Sequence, residues 1–418
     1  MKTLLKNAII IAAESPYHHQ KKDVLINDGK IEKIADSIIK SLDTNVIELE
    51  NLHISCGWFD TSVSFGEPGF EERETIKNGL EVASKSGFTA VAVNPNTNPV
   101  IDSKSDIYFL INKSNFSATK LFPIGALTQK CEGKELAELY DMQKAGAIAF
   151  GDYNKPISND NLMKIGLLYA QNFNGLIMSF PKNNSIAAQG IVNEGINSTK
   201  LGLKGIPSLS EHIQIARDLF LLEYTGGKLH IPTISTSKSV ALIKEAKKKG
   251  LNVTCSVSVH NLVLTDEELY GFESNFKTTP PLRTSEDVKA LQKGVKNGVI
   301  DIITSDHNPI DIEYKKVEFG NAKDGVIGLE SAFGALNSVL DLNDFIECIT
   351  IKPRTIFGLQ NPIFKEDSIA EITLFNPYGN IVFSEKDILS TSKNSPFIGK
   401  NLKGKVYGIY ANNQLILK

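Results

Sequence analysis

The residues able to do chemistry concentrate at two places. At residues 57–76 the chain reads GWFDTSVSFGEPGFEERETI. An apolar run leads to Asp60, then Thr61, Ser62, Val63 and Ser64, and a Gly-Glu-Pro-Gly turn precedes a helix start. Residues two apart along a β-strand point to one face, so the Ser62 and Ser64 hydroxyls share a side. The second place is Asp306–His307, at the end of the apolar run DIITSDHNP. An aspartate there is a candidate general base; the plainer reading, which is favoured, is a hydrogen-bonded strand-end carboxylate. Of the seven histidines, His18 and His19 fall in a polar turn and His53 precedes the first strand of the alternating region. His212 reads as a solvated helix residue and His230 as structural, while His260 follows a strand.

The elements that must position these groups follow from periodicity. From about residue 53 apolar strands alternate with amphipathic helices, the pattern of a parallel sheet. Eight strands are counted, beginning near His53, Phe88, Lys120, Gly146, Gly175, Lys228, Asn252 and Asp301. Eight such repeats close a (β/α)8 barrel, whose chemistry sits at the C-terminal strand ends. Ser208 and Glu211 have capping-box spacing at the start of one helix. The two chain ends read differently, as short strands with Gly and Asn turns, among them a hairpin at Asp28-Gly29. The expected organisation is an α/β barrel at residues 54–364, with a small β-sandwich built from residues 1–53 and 365–418. Long loops at residues 183–207 and 262–283 are expected to cover the barrel mouth, with Arg283 bridging them.

The chain resembles dihydroorotase, a cyclic amidohydrolase of the (β/α)8-barrel type. Asp60 and Glu67-Pro68-Gly69 match its signature. The segments EPGFEERETIKNGLEVASKSGFTAVAVNPNTNP, GIPSLSEHIQIARD, TPPLRTSEDVKAL and GVIGLE follow the family pattern, and the likeness spans nearly the whole chain. The resemblance implies the same barrel and end domain. It also implies a metal site with histidines where Ser62, Ser64, Ser179 and Thr233 stand, a carboxylated lysine or an aspartate at Asp152, and the catalytic aspartate at Asp306. On the substrate side it implies an arginine at the position of Gly66, the asparagine kept as Asn96, a second asparagine where Thr279 stands, and a histidine where Ile310 stands.

Zinc is held by imidazole, thiolate or carboxylate, and neutral hydroxyls are poor substitutes. No cofactor is therefore expected, and Asp306 is read as vestigial; zinc is expected only if the chain is an active dihydroorotase. Asp152 and Asp306 are expected to face one cavity without a cation between them, so that one has a raised pKa or a water network or lysine compensates. The leading functional expectation is a non-catalytic structural or regulatory subunit in pyrimidine biosynthesis, with aspartate carbamoyltransferase as the partner the resemblance suggests. The alternatives are an active dihydroorotase opening the dihydroorotate ring amide, and a small-molecule sensor using the pocket.

The 418 residues suit one large barrel with an appendage, and a net charge of -3 gives no nucleic-acid footprint. The N-terminal residues do not read as a basic segment with an apolar run and a small-residue cleavage site, and no apolar run reaches membrane length, so neither a secretory signal nor a membrane span is expected. Cys56, Cys131, Cys255 and Cys348 are scattered, with no CxxC pair, and read as reduced thiols of a cytoplasmic protein. A homo-oligomer is expected.

Overall fold

In the computed structural model, which describes residues 2–418, eight parallel strands close a barrel. They are β1 Trp58–Val63, β2 Phe88–Val93, β3 Lys120–Gly125, β4 Ala149–Phe150, β5 Ile177–Met178, β6 Leu229–Ile231, β7 Val253–Ser258 and β8 Ile302–Thr304. Neighbours pair in chain order, and a parallel bridge between Val63 and His307 joins the last strand to the first. The inward side chains Phe59, Ala90, Ala92, Ile124, Ala149 and Met178 pack as one cluster, the layered filling of such a barrel. A larger aliphatic cluster lies between the strands and the surrounding helices.

Local sequence explains where the helices begin and end. Thr284 caps Ser285–Lys296 by accepting from the Asp287 amide at 3.3 Å. That helix stops before Gly298, whose φ of 67° suits glycine. Ser208–Thr225 closes on Gly226 at φ 71°. Its expected capping box does not form, because Glu211 points away from its own helix. Its carboxylate accepts from the Ser235 amide (3.0 Å), the Thr236 amide (3.2 Å) and the Ser239 hydroxyl (2.5 Å), around the N-terminus of the next helix, Ser237–Lys248.

The chain ends build a β-rich domain whose strands run as one eight-stranded sheet. Its hairpin turns at Asp28 (φ 45°) and Gly29 (φ 78°), between the paired residues Asn27 and Lys30. The apolar run from His53, read as a single strand in the sequence, divides at Gly57. His53–Cys56 pairs within the end sheet and Trp58–Val63 within the barrel. Close packing sets the break: a Cβ on Gly57 would lie 2.1 Å from Thr89 Oγ1. Arg354 pins the junction by donating to Gly57 O and Thr89 Oγ1, both at 3.1 Å, while pairing with Glu371 at 3.2 Å. Among the described residues no helix is long and apolar enough to cross a membrane.

Candidate active site at the barrel mouth

The mouth is organised by Asp60. Its Oδ1 accepts from the Ser62 amide at 3.0 Å and from the Thr304 hydroxyl, and its Oδ2 accepts from the Ser305 amide at 2.8 Å. One buried carboxylate thus ties β1 to β8. A register shift between Asp60 and Val63 re-aims the strand, as such irregularities do beside active sites. Ser62 then faces the interior, where its hydroxyl donates to Asp306 Oδ1 at 2.9 Å.

Asp306 sits just past β8 at the edge of a cavity of about 20 Å³, room for about one water. Burial pushes its carboxyl up to about 7, and the nearby Asp60 charge adds to this against the bonds from Ser62 and Tyr153. The Tyr153 hydroxyl donates to Oδ1 at 3.3 Å. Asn94 Nδ2 reaches Ser62 Oγ at 3.0 Å and Ser64 Oγ at 3.3 Å, so the two serines do share a face. Three non-glycine residues at this rim lie in the left-handed region: Tyr153 at φ 53°, Thr233 at φ 47° and Asp306 at φ 48°. For a β-branched threonine this conformation is an outlier, and such strain clusters at functional sites.

The residues singled out in the sequence are only partly gathered here. Ser62, Thr233, Thr279 and Asp306 line the cavity, and Ser64 joins through Asn94. Asp152 does not face it. Its Oδ1 accepts from the Leu127 and Thr128 amides, both at 2.9 Å, and its Oδ2 from the Thr128 hydroxyl. Burial raises its pKa, and the Thr128 bonds oppose that shift. The expected pair of facing carboxylates is therefore absent: both pKa values are raised, but by burial first, and neither by the other. Ser179 also turns away, donating to Asp218 at 2.7 Å.

Three pocket expectations need correcting, since Gly66, Asn96 and Ile310 are not among the cavity's lining residues. Gly66 is folded against its own turn, with a Cβ position 1.9 Å from Phe70 O. Ile310 packs beneath Asn394, whose Oδ1 accepts from its amide at 3.2 Å, and it borders a separate groove. Asn96 lies on the loop after β2 with its Oδ1 buried and unpartnered. Asn94 takes the polar role instead, and its signal was in the sequence: Ala90, Ala92 and Asn94 continue one inward alternation. Tyr153, missed beside Asp152, had no such signal.

The histidines serve the frame. His230 bonds to Thr254 at 2.9 Å and Ser256 at 3.2 Å, and burial lowers its pKa to about 3. His260 is buried with Nε2 unpartnered, and burial holds it at about 3. His307 Nδ1 accepts from the Gly328 amide at 3.2 Å, with a pKa lowered to about 4 by burial. His212 is half-buried rather than solvated, 3.0 Å from Thr236 Oγ1. Arg283 does tie the two mouth loops. It donates to Asn193 at 2.8 Å and Ile206 O at 3.0 Å and lies 3.7 Å from Glu211, while Asn193 also reaches Asp266 at 2.7 Å.

A zinc ion of the kind the resemblance implies does not fit these residues. The six positions supply four hydroxyls and two carboxylates, one of which is spent on a backbone turn. Among the described residues no group of three or more His, Cys, Asp or Glu side chains is placed to hold a metal.

The architecture and the rim of polar strand ends define a (β/α)8 barrel with a polar mouth at the C-terminal ends of its strands. L-hydantoinase (dihydropyrimidinase) from Arthrobacter aurescens superposes with a TM-score of 0.85 at 20% identity, covering 100% of this chain and 97% of its own. Dihydropyrimidinase from Brevibacillus agri NCHU1002 gives the same score and identity, covering 100% and 95%. The chain belongs to the dihydroorotase family. Residues 53–239 match the family model described as dihydro-orotase-like. A dihydroorotase from Geotalea daltonii is 37% identical over 91% of both chains. One from Thermoanaerobacter sp. strain X514 is 38% identical over 97% of this chain and 95% of its own. One from Pelotomaculum thermopropionicum is 36% identical over 100% and 99%. These relatives overturn the expectation of a non-catalytic subunit: the end-to-end likeness is to proteins named as the enzyme.

Proposed function

We propose that the protein is a dihydroorotase-type cyclic amidohydrolase, opening or closing the ring amide of a dihydropyrimidine, with Asp306 moving the proton. One observation carries this reading. Asp306 is a buried carboxyl at the C-terminal end of β8, in the mouth cavity, with a pKa of about 7. A group so poised both accepts and returns a proton near neutral pH. In ring opening, the Asp306 carboxylate takes a proton from water and the water oxygen adds to the ring carbonyl carbon. The carbon–nitrogen bond then breaks as the carboxyl returns its proton to the ring nitrogen. Ser62 holds Asp306 Oδ1, and Asn94 holds Ser62.

Support for the reaction class comes from the dihydroorotases matched over more than nine-tenths of the chain. Strain retained at Thr233 and Asp306 agrees with a working site. No step is routed through a metal, since the donor set does not hold one. The four cysteines, all free and buried, are in keeping with a reducing cytoplasm. The test is turnover of dihydroorotate and of carbamoyl-aspartate by the purified chain, with Asp306→Asn as the control. Turnover in the native chain alone supports the reading; equal rates in both refute it.

A further inference from the structure

Resting on the reading above, we infer that the substrate class of this site is the uncharged cyclic ureide, and that a ring carboxylate hinders binding instead of anchoring it. The inference stands on what surrounds the cavity. Its polar groups are the hydroxyls of Ser62, Tyr153, Thr233 and Thr279, the Asn94 amide and the Asp306 carboxyl, and no lining residue carries a positive charge. Hydroxyls and an amide match the alternating C=O and N–H edges of a neutral ureide. A carboxylate brought among them meets no cation and faces two aspartates, Asp306 and, behind it, Asp60. Burying an unpaired anion is strongly unfavourable.

The buried cations of the mouth loops are committed elsewhere. Arg283 serves Glu211, Asn193 and Ile206 O. Lys277 Nζ donates to the carbonyls of Phe319, Gly320 and Ala322 at 2.6–3.0 Å. Lys315 Nζ donates to Ser274 O and Lys323 O. Lys182, half-buried two residues past Phe180, acts on the buried Asp324 and lines a neighbouring cavity that shares Phe180 and Thr279 with this one. From the β1 side no side chain can reach in at Gly66, where even a Cβ collides with Phe70 O.

The cavity as it stands is too small for a ring, so one side chain must give way. Tyr153 bonds Asp306 at 3.3 Å, a longer bond than the 2.9 Å from Ser62, and its hydroxyl also bonds Ser64, so moving it aside breaks both contacts. Its departure leaves the Asp306 carboxyl open to the ring amide.

The test compares 5,6-dihydrouracil with dihydroorotate on the native chain, by initial rates and by calorimetric binding, with Asp306→Asn for background. The expected result is a kcat/KM for dihydrouracil at least 10-fold above that for dihydroorotate, with tighter binding. A preference for dihydroorotate overturns the inference and leaves the ring-opening reading intact. Selective binding of dihydrouracil without turnover upholds the ligand class and overturns ring opening. Neither binding nor turnover of either compound overturns both.

Discussion

The Ser62 hydroxyl donates to Asp306 Oδ1 across 2.9 Å, joining residues 244 positions apart in the chain. The bond favours the ionised carboxyl and so opposes the burial that raises its pKa. Ser62→Ala should move the acid inflection of the pH–rate profile upward by roughly 0.7 pH, the equivalent of a hydrogen bond worth about 1 kcal/mol. Tyr153→Phe should move it the same way by less, because the Tyr153 bond is the longer and the smaller influence. A downward shift in either variant contradicts this arrangement.

Asp306 also makes stability depend on pH. Its pKa is raised from 3.8 unfolded to about 7 folded. The contribution of the protonated form is fully present below pH 3.8 and is lost as pH rises through 7, since only the unfolded chain ionises freely in that window. The difference amounts to roughly 4 kcal/mol. Asp306→Asn removes it, so the variant should gain stability over the native chain at pH 8 and lose that advantage near pH 4. Denaturant titrations at both values check this.

Asp60 tests barrel closure. Asp60→Ala leaves the Ser62 and Ser305 amides and the Thr304 hydroxyl without their acceptor. Each buried orphan costs about 1–3 kcal/mol, so a loss of at least about 3 kcal/mol is expected in equilibrium unfolding.

Much of this architecture is legible in the sequence. The apolar alternation marks all eight barrel strands, because inward side chains recur every second residue whatever they later touch. The division at Gly57 is not legible, since it depends on Arg354, 297 residues further on. Nor is the direction of Asp152, which is decided by two backbone amides of another loop. Glu211 has capping-box spacing but caps the following helix, because Ser235, Thr236 and Ser239 offer its carboxylate more donors than its own first turn. At the site, Ser62 and Ser64 follow from strand geometry. Loss of the family's imidazoles is equally plain, yet reading inactivity from it went beyond what residue types alone carry.

Arg283 should hold the mouth loops. Arg283→Met strands Glu211, which is 2% exposed, without its cation. Removing one partner of a buried pair costs about 3–5 kcal/mol. Limited proteolysis should then cut within residues 190–206 or 262–282 faster than in the native chain, while the barrel core persists.

Metal removal should change little. With hydroxyls at four of the six positions, prolonged dialysis against a chelator should leave both thermal stability and any turnover within error of the untreated protein. A loss of activity restored by zinc would show that donors other than these complete a site.

The most direct test is the rate at which the purified chain opens a dihydropyrimidine ring, measured from pH 5 to 9 beside Asp306→Asn. The native chain should turn the ring over with a rate that rises through about pH 7 and levels off, and the variant should be silent. Turnover that persists in Asp306→Asn, or none in the native chain across that range, contradicts the role given to this carboxyl.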